Sequence, residues 1–244
     1  MNKHNTLPSG ITSEDLEVSA TLSDLPSLLN VLKFLKSKNL TSLLDCGCGY
    51  GGLTMYVANY LGVHEVYGID IDEKRLSKAR QKGINVYKVD LNREKIPVFD
   101  ERFDLVTSFG VLEHFILFDN FFNESFRVLR KGGYLLISMP NLGSYINRIA
   151  LLLGFQPRDV EISHKISNQG FLPGYGGPYI GHIHSATLRA IKQVINGYGF
   201  NIIKVERSKS PYVKSRLIKF LDILFSSPSL SRRFILLAQK PMHT

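Results

Sequence analysis

The sequence predicts an α/β protein with a parallel sheet that helices cover on both faces. Two observations carry this prediction. Over the first 140 residues, short apolar segments alternate with amphipathic segments of helical spacing, and glycine or proline ends several of them. The 244 residues are 44% hydrophobic and 21% charged, which is ordinary for a folded domain and excludes bulk disorder.

The predicted elements follow in order. Asp24 is a candidate cap for a first helix, which carries leucines at helical spacing. Five strands are predicted at 42–45, 65–71, 85–89, 103–109 and 134–138. Between them lie helices at 53–61, 73–82 and 118–129, the last closed by Gly132 and Gly133. A helix at 188–195 and strands at 200–205 and 233–239 complete the chain.

The regular alternation breaks after Pro140. The stretch 154–185 is rich in glycine, proline and aromatic residues, which is typical of a functional cover or binding loop. We therefore divide the chain into an N-terminal helical cap (1–40), a ligand-binding core (41–141), a lid or substrate-binding insertion (142–185) and a segment that completes the sheet (186–244).

Other sequence features narrow the class of protein. The apolar runs fall far short of the ~20 residues of a membrane span, and the first 18 residues lack the apolar core of a signal peptide. Cys46 and Cys48 are the only cysteines, too few for a disulfide framework or a thiolate zinc site. We expect a cytoplasmic protein without a bound metal.

The sharpest motif is Asp-Cys-Gly-Cys-Gly-Tyr-Gly-Gly at 45–52, between a strand and a helix. Such a loop lets a ligand approach the backbone and the helix N-terminus. Its glycine spacing fits a dinucleotide site, with Asp70 placed to hold a ribose. Asp45, however, would repel a pyrophosphate by roughly 1–4 kcal/mol. The motif therefore favours a cationic nucleoside over a nicotinamide dinucleotide, and an oxidoreductase stays a disfavoured alternative.

An ordered series of further motifs follows this loop: Gly-Ile-Asp-Ile-Asp at 68–72, Val-Asp-Leu at 89–91, Phe-Asp-Leu-Val at 103–106, Val-Leu-Glu-His at 111–114, Val-Leu-Arg-Lys-Gly-Gly at 128–133 and Ser-Met-Pro-Asn at 138–141. With 43–53, the series resembles a class I S-adenosylmethionine-dependent methyltransferase of the small-molecule, ubiquinone-type branch. The likeness is strong over 43–141 and weaker over 182–200. It implies a Rossmann-like three-layer sandwich with a mostly parallel seven-stranded sheet, an antiparallel last strand and helices on both faces.

The resemblance also implies S-adenosyl-L-methionine as cofactor, S-adenosyl-L-homocysteine as product, and nine cofactor-binding residues: Asp45, Gly47, Gly49, Gly51, Asp70, Ile71, Asp90, Leu91 and Phe109. The first four would cradle the methionine part, Asp70 the ribose and Phe109 the sulfonium end. Ile71, Asp90 and Leu91 would surround the adenine. For Asp70 and Asp90, the plainer alternative is that each caps the turn that follows it.

Methyl transfer needs a base only when the acceptor must lose a proton, and histidine suits that role near neutral pH. His114, His164, His182 and His184 are the candidates. We expect His114 or His184 to contact the acceptor, with Glu113 orienting the site. His182 and His184 alternate in an extended stretch, so one can face the site while the other faces out. A capping or pairing role is the alternative for each.

Nine of the basic residues but only two acids lie between Lys204 and Lys240, in a chain of net charge +9. A basic amphipathic helix predicted at 212–225 fits either an anionic membrane surface or packing on the fold with its charges in water. We favour packing, a small-molecule acceptor (lipid-like or phenolic) and direct displacement. An RNA, DNA or protein acceptor and a non-catalytic binding module stay alternatives, with nucleic acid disfavoured. The oligomeric state is open.

Overall fold

The computed structural model of the chain describes residues 25–166, 170–172, 181–208 and 216–242, with only the backbone for 216–219. The candidate cap Asp24 lies outside the described residues. Parts of the predicted lid, at 167–169 and 173–180, and the start of the predicted basic helix, at 212–215, also lie outside them.

A seven-stranded sheet forms the centre of the protein. Its strands are β1 Ser42–Cys46, β2 Glu65–Asp70, β3 Asn85–Lys88, β4 Phe103–Phe109, β5 Leu129–Pro140, β6 Asn201–Ser208 and β7 Arg233–Gln239. They lie in the order β3-β2-β1-β4-β5-β7-β6. The first five pair in parallel, whereas β7 runs antiparallel to both β5 and β6. The predicted mostly parallel sheet with an antiparallel last strand is confirmed.

Helices cover both faces of this sheet. They are α1 Leu25–Lys36, α2 Gly52–Leu61, α3 Glu73–Gln81, α4 Asp119–Val128, α5 Tyr145–Leu152, α6 Leu188–Gly197 and α7 Arg216–Leu224, with a short 3₁₀ helix at Leu112–His114. Helices α1 to α3 bury their leucines and valines against one face, and α4 and α6 pack phenylalanines and isoleucines on the other. The predicted three-layer arrangement is confirmed. Among the described residues, no helix has the length and apolar character needed to span a bilayer.

The strand order changes direction between β1 and β4. Strand β1 pairs with β2 on one side and with β4 on the other, because β2 and β3 are added on one side of β1 and the later strands on the other. In open α/β sheets, ligands bind in the crevice beyond the carboxyl ends of the strands at such a point. This edge carries the glycine loop after β1 and the residues from Phe109 onward after β4.

Two local features differ from the sequence expectation. Helix α5, capped by the Ser144 side chain, lies between Pro140 and the glycine-rich stretch 154–185, where no helix was predicted. Helix α4 ends at Val128 and β5 begins at once, so the Gly132–Gly133 pair lies inside the strand instead of closing the helix. Gly132 has a φ of 76° and falls in an irregularity where the pairing of β4 with β5 jumps ahead by several residues.

Candidate functional site

The glycine loop after β1 has a backbone conformation that residues other than glycine rarely adopt. Gly47, Gly49 and Gly51 have φ values of 84°, 53° and 80°. The N–H groups of Gly47 and Cys48 donate to the carbonyl of Ile69, at 2.7 and 2.9 Å, and tie the loop to β2. A Cβ atom added at position 47 would lie 2.3 Å from Val111 Cγ2. Both the backbone conformation and the packing therefore require glycine at position 47.

Asp70 joins the glycine loop to the end of β2. Its Oδ2 accepts from the Gly49 N–H at 3.0 Å, and its Oδ1 accepts from the Asp72 N–H at 2.9 Å. The side chain is 8% exposed. The structure therefore brings the expected methionine loop and the expected ribose acid together. The turn-capping alternative is also realised, because one carboxylate supports both the loop and the turn before α3.

Asp45 lies deeper than the sequence suggested. Both of its oxygens accept from hydroxyls, at 2.5 Å from Thr54 in α2 and at 2.7 Å from Thr107 in β4. Burial raises the pKa of Asp45 to about 6, although both hydroxyls act in the opposite direction. A pKa of about 6 leaves the carboxylate mostly ionised at pH 7, and its two hydroxyl partners tie β1 to α2 and β4 beneath the loop.

The remaining expected cofactor residues differ in exposure. Ile71, directly after Asp70, is 60% exposed, an unusual position for an isoleucine. Leu91 and Phe109 are buried in the two cores. Asp90 accepts from the backbone and side-chain amides of Asn92 and pairs with Arg93 at 3.0 Å. The Asn92 hydrogen bond and the Arg93 charge lower the pKa of Asp90, and its turn-capping alternative is realised.

Glu113 and His114 follow β4 and meet the last part of the predicted insertion. The Glu113 carbonyl accepts from the N–H groups of Ile183 and His184, at 2.8 and 3.1 Å. The His114 Nδ1 lies 2.8 Å from the Gly181 carbonyl oxygen. The segment 181–184 therefore lies across the end of β4, at the edge of the sheet that holds the crevice.

Of the two alternating histidines, His182 faces inward. It is 7% exposed, whereas His184 lies at the surface. His182 Nε2 is 3.8 Å from Glu113 Oε1, and His182 Nδ1 is 3.7 Å from Asp159 Oδ1. Burial lowers the pKa of His182, and Asp159 partly opposes that shift. The alternation of His182 and His184 in the sequence predicts that one of them faces inward but does not predict which one. No sequence pattern indicated Asp159.

His184 belongs to a separate pocket on the helical face. Its Nδ1 lies 3.0 Å from the Phe115 carbonyl oxygen. The pocket has a volume of about 470 Å³ and is lined by Leu117, Phe118, Asp119, His184, Val194, Gly197 and Tyr198. The Tyr198 hydroxyl donates to Asp119 at 2.7 Å, which raises the pKa of Tyr198 to about 12. His114 therefore contacts the segment 181–184 at Gly181, whereas His184, from that segment, contacts Phe115 and lines the pocket.

The comparisons with known proteins agree with this geometry. Residues 44–137 match the family model described as a methyltransferase domain. A probable S-adenosylmethionine-dependent methyltransferase of Mycolicibacterium smegmatis is 35% identical over 133 residues, which are 53% of this chain and 51% of that protein. The phthiotriol/phenolphthiotriol dimycocerosates methyltransferase 1 of Mycobacterium ulcerans is 34% identical over 97 residues, 38% of this chain and 35% of that protein.

The chain spans about half, or less, of the length of the curated relatives it matches. Among solved structures, an S-adenosylmethionine-dependent methyltransferase from Mesorhizobium loti superposes with a TM-score of 0.59 at 20% identity, over 89% of this chain and 98% of that one. That likeness concerns the fold, whereas the sequence matches concern the core. Residues 44–137 of this chain are therefore similar to a methyltransferase domain, and the fold around them is like that of solved S-adenosylmethionine-dependent methyltransferases.

Proposed function

We propose that the protein transfers a methyl group from S-adenosylmethionine to a small-molecule acceptor by direct displacement and releases S-adenosylhomocysteine. The observation that carries the proposal is the bond from the Gly49 N–H to Asp70, which joins the glycine loop and the β2 carboxylate at one edge of the sheet. This edge is the ligand-binding position of an open α/β sheet.

The residues at this edge fit the cofactor. Asp70 presents a buried carboxylate at the end of β2, and the exposed Ile71 beside it offers an apolar surface for a base. We propose that the whole expected set contacts the cofactor: Asp45, Gly47, Gly49, Gly51, Asp70, Ile71, Asp90, Leu91 and Phe109. The bound cofactor supplies an electrophilic methyl group on a sulfonium. The ionised Asp45 favours that positive charge, and the fold positions the acceptor and excludes water.

His114 and His184 are the proposed acceptor-side residues. Each places its Nδ1 at a backbone carbonyl, which requires a proton on Nδ1. In both rings, Nε2 is therefore the basic nitrogen and is available to take a proton from a hydroxyl or ammonium acceptor. The segment 142–185, which contains Asp159 and His182, is the proposed acceptor-binding part.

The experiment is a turnover assay with labelled S-adenosylmethionine and a panel of phenols, quinols, amines, carboxylates and an RNA pool. Cofactor affinity is measured separately for the wild type, His114→Ala and His184→Ala. A base role predicts unchanged cofactor affinity and turnover lowered by about 10²–10⁴ in one variant. His64→Ala is the matched control, because His64 is exposed just before β2 at the other edge of the sheet. Unchanged turnover in both active-site variants contradicts the base role.

A lipid-like acceptor is favoured within the small-molecule class by the exposed apolar side chains near α5 and α7. Leu151, Leu152, Ile223 and Leu224 are each more than half exposed. The two helices are neighbours, since the Tyr145 ring stacks on Phe225 with centroids 5.0 Å apart. In sequence, the stretch from 204 to 240 carries nine bases and two acids, which favours anionic lipid, although Arg232 and Lys240 themselves are buried in ion pairs. The cytoplasmic location stays a prediction.

Vesicle sedimentation tests this peripheral contact, with phosphatidylserine-containing and neutral vesicles at two salt concentrations. We expect binding only to anionic vesicles, weakened by salt and by Ile223→Glu. Phe99→Glu is the control, because Phe99 is strongly exposed but lies in the segment before β4. Absence of binding at low salt removes the membrane contact and leaves methyl transfer untouched.

A further inference from the structure

We propose that Glu113, His114 and His182 form a binding site for one divalent transition-metal ion. Each offers one donor atom, and the three donor atoms lie within 4.8 Å of one another. Glu113 and His114 come from the 3₁₀ helix after β4, and His182 comes from the segment that lies across it. Two imidazoles and one carboxylate are a ligand set that suits Zn²⁺, Co²⁺ or Fe²⁺.

The histidines have the surroundings that metal ligands need. The Gly181 carbonyl fixes the proton of His114 on Nδ1, at 2.8 Å, so Nε2 carries the lone pair. For His182, the Asp159 carboxylate faces Nδ1 at 3.7 Å and Glu113 Oε1 faces Nε2 at 3.8 Å. A carboxylate behind the far nitrogen of a ligating histidine is a common outer-shell arrangement that orients the ring and raises its basicity.

A buried carboxylate oxygen without a partner supports the site independently. Glu113 is 2% exposed, yet its Oε2 makes no hydrogen bond within the part of the chain that the structure describes. Leaving such groups unpaired is costly, and native proteins seldom do so without a reason. A cation between the carboxylate and the imidazoles would give the Glu113 carboxylate a partner.

Arg233 is the cation that faces Glu113 in the structure, with Nη1 3.7 Å from Oε1. At that distance, Arg233 offsets part of the carboxylate charge. Two ligand atoms about 2.1 Å from a tetrahedral Zn²⁺ lie roughly 3.4 Å apart. The Glu113–His182 pair at 3.8 Å must therefore close by about 0.4 Å, and no pair in the cluster by more than about 1.4 Å, when the ion binds. A fourth position stays open for water or an acceptor oxygen.

The expectation of no metal started from the two cysteines, which would need histidines or acids from elsewhere in the chain to complete a site. The ligands come from two separate segments, so no spacing motif links them. Metal binding itself does not depend on the proposed methyl transfer. It does bear on His114, because a metal on Nε2 would prevent that nitrogen from acting as a base. In that case, His184 is the histidine left for the proton.

Metal titration of chelator-treated full-length protein tests the proposal, with Zn²⁺ in competition with a chromophoric chelator and with Co²⁺ followed by its visible absorption. We expect one ion per chain, with a Kd below about 1 μM. Glu113→Gln and His182→Ala should each weaken binding at least about tenfold. The control His64→Ala should leave it unchanged, since His64 lies before β2, outside the cluster.

Thermal unfolding of each variant shows whether it still folds, and Glu113→Gln keeps the test available if His182→Ala does not, since it changes only charge and one donor. Absence of stoichiometric binding would overturn the proposal. Binding that survives both ligand substitutions, or that His64→Ala weakens equally, would overturn it too. S-adenosylhomocysteine titration of the same samples reports the methyltransferase site separately, so the two failures are distinguishable.

Discussion

The cofactor edge and the insertion edge of this protein are built in different ways. The glycine loop is held by backbone hydrogen bonds to Ile69 in β2, and the Asp70 carboxylate accepts from the loop and from the turn before α3. On the other side of the crevice, Glu113 and His114 meet residues 181–184 from a separate segment. A local sequence motif therefore encodes the cofactor edge, whereas packing between distant segments determines the insertion edge.

The largest expected effect tests the local region. Gly47→Ala combines a positive φ with a Cβ atom 2.3 Å from Val111, so we expect the free energy of unfolding to fall by about 3 kcal/mol or more. Gly62→Ala is the matched control: its φ is 75°, but nothing lies within 4 Å of the added Cβ. The control should lose only about 1–2 kcal/mol in denaturant unfolding.

Relief of the collision sharpens that test. Adding Val111→Ala to Gly47→Ala should recover part of the lost free energy, because the nearest atoms to the new Cβ belong to the Val111 side chain. Equal losses for Gly47→Ala and Gly62→Ala would show that packing at the loop is not what requires glycine.

The second prediction concerns pH. The pKa of Asp45 is about 6 in the folded protein against 3.8 for the unfolded group, so the folded state binds the proton more tightly. Burial of the ionised form therefore destabilises the fold as pH rises from about 4 to 6, by about 3 kcal/mol in total. Asp45→Asn should lack this pH dependence. In denaturant unfolding, the free energy of unfolding of the wild type should therefore fall relative to that of Asp45→Asn over that range. A difference in the free energy of unfolding that does not change with pH would contradict the burial argument.

The third prediction compares two neighbouring acids. Asp70→Ala removes the acceptor for the N–H groups of Gly49 and Asp72, so we expect about 100-fold weaker binding of S-adenosylhomocysteine, or about 2.7 kcal/mol. Asp72→Ala removes only the α3 cap, which accepts from Lys74 and Arg75. It should cost about 1 kcal/mol of stability and leave affinity unchanged. Calorimetry measures both, and equal affinity losses would contradict the role of Asp70.

The smallest effect is expected on the insertion side. Tyr198→Phe removes a 2.7 Å hydrogen bond to Asp119 beside the pocket that His184 lines. We expect less than about 1 kcal/mol of stability change, with a few-fold higher KM for the acceptor and unchanged kcat. Tyr87→Phe, at a ring stacked on Tyr67 in the sheet, is the control. An unchanged KM would exclude this pocket as an acceptor site.

The same contrast explains what the sequence predicted. The strand and helix order, the parallel sheet and the loop of Gly47, Gly49 and Gly51 follow from periodicity and local glycine spacing. Helix α5 was missed because the glycine- and proline-rich residues after it dominated the composition of the segment. The Ser144 hydroxyl, which accepts from the Asn147 N–H, and the buried faces of Tyr145 and Ile146 stabilise it.

The candidate site was predicted less completely than the fold. Asp45 was recognised as an acid beside the loop, but its bonds to Thr54 and Thr107 depend on the register of β1 with β4 and on the position of α2. The approach of His182 to Glu113 and Asp159 depends on how the insertion packs, which periodicity does not report.

Calorimetric titration of S-adenosylhomocysteine and of NADH into the wild type and Asp70→Ala distinguishes a sulfonium nucleoside site from a dinucleotide site. We expect stoichiometric binding of S-adenosylhomocysteine to the wild type, a large loss of affinity in Asp70→Ala and no heat from NADH. Tight binding of NADH together with no response to S-adenosylhomocysteine would contradict this expectation.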